Sequence, residues 1–135
     1  MIQFYFLSVL LNFLAGYSLS LDPEVKNSPL DGIRTLLLDE TTRLVLGIFT
    51  SSVGFFKLLT VVRGDIPVVG DLIPAIAGML AGFALVLEYY RSRSSTPSRA
   101  SERLNQILVK NRKWVGISAV LSAAAHFLFP MVLFL

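Results

Sequence analysis

Residues 91–113 read RSRSSTPSRASERLNQILVKNRK and hold seven of the twelve basic residues of the chain. Only one acidic residue, Glu102, opposes them. Long apolar runs occupy most of the remaining chain, and each is close to the roughly 20 residues that a helix needs to cross about 30 Å of hydrocarbon. The runs cover residues 2–21, 44–62, 72–90 and 114–135. The sequence therefore predicts an all-α integral membrane protein with four transmembrane helices.

The composition agrees with this class. The hydrophobic fraction is 54%, against about 45–50% in soluble domains. A soluble bundle of buried helices is the alternative, but its apolar residues would be dispersed with a helical period, whereas here they are contiguous. About fifty residues remain outside the four spans, which is too few for a separate soluble domain. We therefore expect residues 1–135 to form one membrane domain.

A secretory signal peptide is the alternative interpretation of the first apolar run. A signal peptide has a basic start and an apolar core of about 7–15 residues. Here no basic residue precedes Lys26, and the run over residues 2–21 is longer than such a core. We predict that this run is a retained span.

The distribution of basic residues predicts the topology. With residues 91–113 in the cytoplasm, residues 63–71 lie outside, residues 22–43 lie inside, and both termini are extracytoplasmic. The two inner loops then hold ten of the twelve basic residues. Acidic residues contribute little to this rule, so the net acidic character of residues 22–43 does not reverse it. The predicted location is the inner or plasma membrane.

The predicted inner loops contain short amphipathic segments. Ile33, Leu36 and Leu37 share one helical face, as do Leu104, Ile107 and Leu108. Residues 91–101, rich in Ser and Arg, predict a poorly ordered linker. We expect the basic cytoplasmic face to attract anionic lipid headgroups. Its members are Arg91, Arg93, Arg99, Arg103, Lys110, Arg112 and Lys113.

Several chemistries are excluded or disfavoured by composition. The chain has no cysteine and one histidine, so thiolate and His-rich metal sites are excluded. We predict no metal, no cofactor and no enzymatic activity. Because the positive charge is concentrated in one loop beside apolar runs, we expect a membrane surface rather than nucleic acid as its partner.

The predicted outer loop reads RGDIPVVGDLIP over residues 63–74. Asp71 is expected to cap the third helix, and Pro74 fits the first helical turn, where its missing N–H costs nothing. Pro67 and Gly70 favour a tight reversal. The alternative is a cation or solute site formed by the carboxylates of Asp65 and Asp71, although two carboxylates are few for an oxygen-ligated metal.

The candidate functional polar residues within the predicted spans are Lys57, His126 and Asn12. Lys57 is expected to snorkel to the outer interface and pair with Asp65 or Asp71; a role in transport is the alternative. His126 is expected to make a helix–helix contact, with Asn12 as a candidate partner. Pro130 cannot donate to the carbonyl of residue 126, which leaves that carbonyl free and predicts a kink.

Span three, residues 72–90, contains two further indications of side-chain contacts. Glu88, near the inner end of span three, is expected to form a surface ion pair with Arg91. Small residues in the same span predict close helix packing, either within the chain or in self-association. They are Ala77, Gly78, Ala81 and Gly82.

These features lead to two functional hypotheses. The first is a non-enzymatic membrane subunit or assembly partner within a homo-oligomer or a larger membrane complex. The alternative is an oligomeric transporter or channel for a small solute or ion, with Lys57, His126 and the Asp65/Asp71 loop in its path.

Overall fold

The computed structural model describes residues 2–24, 29–59, 71–96 and 98–129, and this part of the chain is all-helical, without strands. The predicted all-α class is therefore confirmed. The elements are α1 (Ile2–Ser20), α2 (Asp31–Leu38), α3 (Glu40–Leu59), α4 (Leu72–Arg93), α5 (Arg99–Leu104), a π-helical segment (Asn105–Val109) and α6 (Arg112–Leu128).

Within the described residues, α3 and α4 are long and apolar enough to cross a membrane, and no other helix meets both conditions. Helices of this kind also occur in the cores of soluble proteins, so length and hydropathy alone are a weak indication of membrane association. The described part of α6 has 17 residues, and residues 130–135 of predicted span four lie outside the described chain.

The helix boundaries differ from the predicted spans mainly beside residues 22–43 and 91–113. α3 begins at Glu40, four residues before the predicted start at Leu44. Asp39 explains the early start, because its carboxylate accepts from the Thr42 amide at 2.9 Å and caps the first turn. This hydrogen bond lowers the pKa of the Asp39 carboxyl below its ordinary value.

The predicted amphipathic segments are helices. Leu37 of α2 and Leu108 of the π-helical segment are buried, while Ile33 and Ile107 are exposed. The prediction of a poorly ordered linker over residues 91–101 is wrong at both ends of this range, where the chain is helical. α4 continues to Arg93, and the hydroxyl of Ser98 caps α5 by accepting from the Ser101 amide at 3.2 Å.

The bundle is built from two antiparallel helix pairs. α3 packs most extensively against α4, and α1 against α6, while α1 and α4 also contact each other. α1 and α6 run antiparallel, since Tyr5 lies beside His126 and Gly16 lies beside Gly116. Lys57, Asp71 and His126 consequently meet at one end of the bundle, which we call the Lys57 end. Arg43, Glu88 and Arg112 meet at the other, which we call the Glu88 end.

Glycines set the close approach of the helices. A Cβ on Gly82 would lie 2.6 Å from the carbonyl oxygen of Gly47 in α3. A Cβ on Gly78 would collide with the Asn12 side chain of α1. The predicted close packing at Gly78 and Gly82 is therefore present, but against two different helices. Ala81 is buried as well, whereas Ala77 is only half-buried.

Candidate functional site

The site is a cluster of polar side chains at the Lys57 end. Lys57 is 5% exposed. Its Nζ lies 2.7 Å from Nε2 of His126 and 3.2 Å from Oδ2 of Asp71. The expected ion pair with Asp71 is present, but the expectation of snorkelling is wrong, because the ammonium lies among helices instead of reaching solvent. Asp65, the other expected partner, lies outside the described residues, as do Pro67 and Gly70.

Asp71 immediately precedes α4, but its side chain makes no capping hydrogen bond. Only its backbone carbonyl bonds into the helix, accepting from the Ala75 amide at 3.0 Å. The predicted side-chain cap is wrong, because the carboxylate turns to Lys57 and to His126, whose Nε2 is 3.7 Å away. Pro74 does lie in the first turn of α4, as predicted.

Asn12 and His126 do not pair as the sequence suggested. Asn12 donates from Nδ2 to the carbonyl of Pro74 at 2.8 Å and thereby ties α1 to α4. His126, which is 2% exposed, uses its ring against Lys57. The two side chains are therefore separate helix contacts.

Tyr5 is a member of the cluster that sequence reasoning missed. Its ring centroid lies 4.6 Å from that of His126, and its hydroxyl donates to the carbonyl of His126 at 2.6 Å. Proline at position 130 has no N–H to offer this carbonyl, so the Tyr5 hydroxyl satisfies the acceptor that the sequence left open. The available signal was the spacing of Tyr5, Ser8 and Asn12 along one face of α1. Pro130 itself, and any kink there, lie outside the described residues.

The short Lys57–His126 contact constrains the protonation of both groups. At 2.7 Å one nitrogen must donate and the other must accept. With Lys57 charged and paired to Asp71, the ammonium donates and Nε2 of His126 accepts. The ring is then neutral, with its hydrogen on Nδ1. The cluster is thus an ion pair in contact with a neutral imidazole.

Two further hydroxyls lie close in sequence to the cluster residues. Ser8 lies between Tyr5 and Asn12 on α1, and Ser122 lies one turn before His126 on α6. Both are buried, and neither Oγ has a hydrogen-bond partner in the described protein. A buried hydroxyl without a partner is costly, so these two positions favour bound water.

A second ionic cluster forms the Glu88 end. Glu88 pairs with Arg43 of α3, and its other carboxylate oxygen lies 3.6 Å from Nη1 of Arg112 in α6. The side chains of Arg43 and Glu88 are each 14% exposed. The predicted surface pair with Arg91 is therefore wrong, since Glu88 turns inward and joins three helices.

Six of the seven predicted basic-face residues are exposed. Arg112 differs, because it is half-buried against Glu88 and also donates to the carbonyl of Leu21 at 3.4 Å. Lys113 lies 3.3 Å from Asp22. A hydrogen bond from the Glu24 amide, helped by Lys113, lowers the pKa of the Asp22 carboxyl. Within the described ranges, no group of three or more acidic or histidine side chains is placed to hold a metal ion.

An apolar groove of about 380 Å³ runs between α1 and α6. Its lining includes Phe6, Phe13, Phe127, Ala123 and Ala124. A second groove of about 380 Å³ lies beside Leu11, Val45 and Phe49. Both are lined chiefly by hydrocarbon side chains.

Comparison with known proteins defines the family of this chain. A protein-family model matches residues 1–126 and carries no functional description. An uncharacterised protein of Treponema pallidum (strain Nichols) is 34% identical over 135 residues, with all of both chains covered. The chain therefore belongs to the same family as this treponemal protein. No solved structure matches it.

Proposed function

We propose that this protein is a four-span integral membrane protein that acts as a non-enzymatic subunit or assembly partner. The observation that carries the membrane assignment is the many large apolar side chains on the outside of the bundle, together with polar groups buried beside its apolar core. Buried positions include Ser8, Asn12, Thr50, Lys57 and His126, whereas large aromatic and aliphatic side chains are exposed. Exposed examples are Phe6, Phe13, Phe49, Phe55, Phe83 and Leu121. A hydrocarbon solvent favours this arrangement, because exposed apolar side chains cost nothing there and polar groups must pair internally.

The two ends of the bundle support the predicted orientation. The basic face and Trp114, which is 73% exposed, lie toward the Glu88 end. Lysine and arginine favour the cytoplasmic side, and tryptophan favours a membrane interface. The basic residues are also suited to anionic lipid headgroups. In this orientation the Lys57 end faces outward, and α1 and α6 complete the four spans with α3 and α4.

The subunit role is supported by how the interior polar groups are used. Lys57 joins α3 to the start of α4 and to α6, Asn12 joins α1 to α4, and Glu88 joins α4 to α3 and α6. In lipid, such polar contacts hold helices together. Their principal partners are one another, which suits a structural role better than catalysis on an external substrate.

Membrane extraction followed by purification tests this proposal. The chain should remain with the membrane pellet in alkaline carbonate and be released by detergent; release by carbonate alone would overturn the membrane assignment. Purified at native abundance in mild detergent, it should elute with other membrane proteins in fixed stoichiometry. A particle that contains only this chain would contradict the role in a hetero-complex. The homo-oligomer would then be the form of the assembly.

Transport of a small solute or ion is the second candidate. The buried hydroxyls of Ser8 and Ser122 favour it, because they are polar groups without a hydrogen-bond partner, one helical turn from Tyr5 and His126 respectively. Lys57→Met separates the two functions, since methionine keeps the length of the side chain and removes the charge. If Lys57 only holds the helices together, any loss of complementation by the Lys57→Met protein should be matched by a loss of stability or abundance, because Asp71 loses its partner. A folded Lys57→Met protein that fails to complement, with partial rescue by Lys57→Arg, would favour transport.

A further inference from the structure

His126 is the only histidine of the chain, and it is buried where three elements meet. The described groups that face it are Tyr5 from α1, Lys57 from α3 and Asp71 from the start of α4. Because Lys57 is paired with Asp71 as an ammonium, it donates to Nε2 of His126, and that nitrogen then carries no proton. The histidine is thus held in its neutral form by a specific contact.

We propose that Nε2 of His126 is a proton-binding site whose occupation separates α6 from α3 at the Lys57 end. A proton from solvent forms an N–H bond at Nε2, and the hydrogen bond from the Lys57 ammonium to that nitrogen is lost. No other covalent bond changes. The imidazolium and the ammonium then repel each other, and Oδ1 of Asp71, 3.7 Å from Nε2 in the neutral state, becomes its acceptor.

The net charge of the Lys57, Asp71 and His126 side chains increases by one on protonation, and this explains why the geometry changes. Before protonation, Lys57 and Asp71 carry one positive and one negative charge, so the described cluster is neutral. After protonation, two cations share one carboxylate among the described residues, that of Asp71. Two positive charges 2.7 Å apart in a buried site repel strongly. Either the Lys57 side chain or the His126 ring must therefore move.

The Lys57–His126 contact links helices that otherwise pack elsewhere. α3 packs chiefly against α4, and α6 chiefly against α1. The two pairs also pack through α1, α4 and α6, and Asn12 bonds α1 to Pro74 of α4. Losing the Lys57–His126 contact should therefore let α6 shift away from α3 at the Lys57 end without separating the whole bundle. The Glu88 end should remain closed, because Glu88 still holds Arg43 and Arg112. This proposal concerns the cluster alone and does not depend on the subunit role.

The single histidine permits a direct measurement of its protonation. In the whole protein with ¹⁵N-labelled histidine, one pair of ring-nitrogen signals should report the Nδ1–H tautomer at neutral pH and the imidazolium on acidification. An Nε2–H tautomer at neutral pH would overturn the proposal. This readout needs no substitution, so it does not depend on the folding of a variant.

A distance measurement tests the movement. The chain contains no cysteine, so Leu59→Cys and Leu128→Cys, both at exposed positions, can carry a unique pair of spin labels at the Lys57 end. Their separation should increase over the same pH range in which the ring takes up its proton. A matched pair, Val45→Cys and Ile117→Cys, lies toward the Glu88 end and should not change. Protonation without any change of the first distance would refute the switch.

Two variants test whether the Lys57–His126 contact causes the movement. His126→Gln removes the titrating ring but keeps an acceptor for Lys57, so the distance should no longer depend on pH. Lys57→Met removes the second cation, so protonation of the ring should no longer change the distance. If His126→Gln still opens on acidification, another group drives the motion and the proposal is wrong.

Discussion

The hydroxyl of Tyr5 donates to the backbone carbonyl of His126 at 2.6 Å, across a sequence separation of 121 residues. The residue four positions later, at 130, is proline, which has no N–H to donate to this carbonyl. A phenol near the start of α1 thus completes the backbone bonding near the end of α6. The same ring packs against the imidazole of His126, so one residue positions both the backbone and the side chain.

Removing the Tyr5 hydroxyl should weaken the bundle. Tyr5→Phe keeps the ring against His126 but leaves a carbonyl acceptor without its donor, at a cost of about 1–3 kcal/mol in the free energy of unfolding. Tyr90→Phe is the matched control, because Tyr90 is 46% exposed, and it should be close to neutral. Denaturant unfolding of both variants in the same detergent measures the difference. Equal stability would show that the Tyr5 hydrogen bond contributes nothing.

The Glu88 cluster and the Glu40–Arg93 pair should differ greatly in their contribution to the free energy of unfolding. Glu88→Gln leaves Arg43 and Arg112 without their shared carboxylate in a largely buried site, and breaking such a pair costs about 3–5 kcal/mol at full burial. Glu40→Gln removes a pair with Arg93 whose side chains are 54% and 64% exposed. This second change should cost at most about 1 kcal/mol. Midpoints of thermal unfolding at low and high salt give the comparison, and similar losses for both variants would contradict this assignment.

Close helix approach at Gly82 predicts opposite effects of the same substitution at two sites. Gly82→Ala should destabilise by about 1–3 kcal/mol, because its Cβ would meet the backbone of Gly47 in α3. Gly32→Ala meets no atom within 4 Å and should stabilise α2 by about 0.5–1 kcal/mol. Thermal unfolding in detergent distinguishes the two signs. A neutral Gly82→Ala would show that α3 and α4 do not pack this closely.

The proposed topology is open to cysteine labelling, since the natural chain has no thiol. Ser95→Cys should be protected from a membrane-impermeant thiol reagent in intact cells and react after permeabilisation. Val68→Cys should react in both conditions. Labelling of Ser95→Cys from outside intact cells would reverse the proposed orientation.

The sequence predicted the helical class and the positions of the main helices, because both depend on the local hydropathy of contiguous residues. The long helices begin and end near the predicted run boundaries wherever the structure describes them. Lys57 and His126 also stood out, since a charged or titratable side chain inside an apolar run is costly wherever it points. The glycines of α4 predicted close helix packing, because small side chains let backbones approach, but they did not identify the helices that they contact.

The tertiary structure alone decided which distant groups meet. It places the carboxylate of Asp71 on Lys57 instead of the α4 amides, turns Glu88 toward Arg43, and brings Tyr5 to His126. These pairings depend on the order and rotation of packed helices, and sequence spacing along one helix carries no information about the rotation of another. Local hydropathy therefore determined where the helices form, and interhelical geometry determined the partner of each buried polar group.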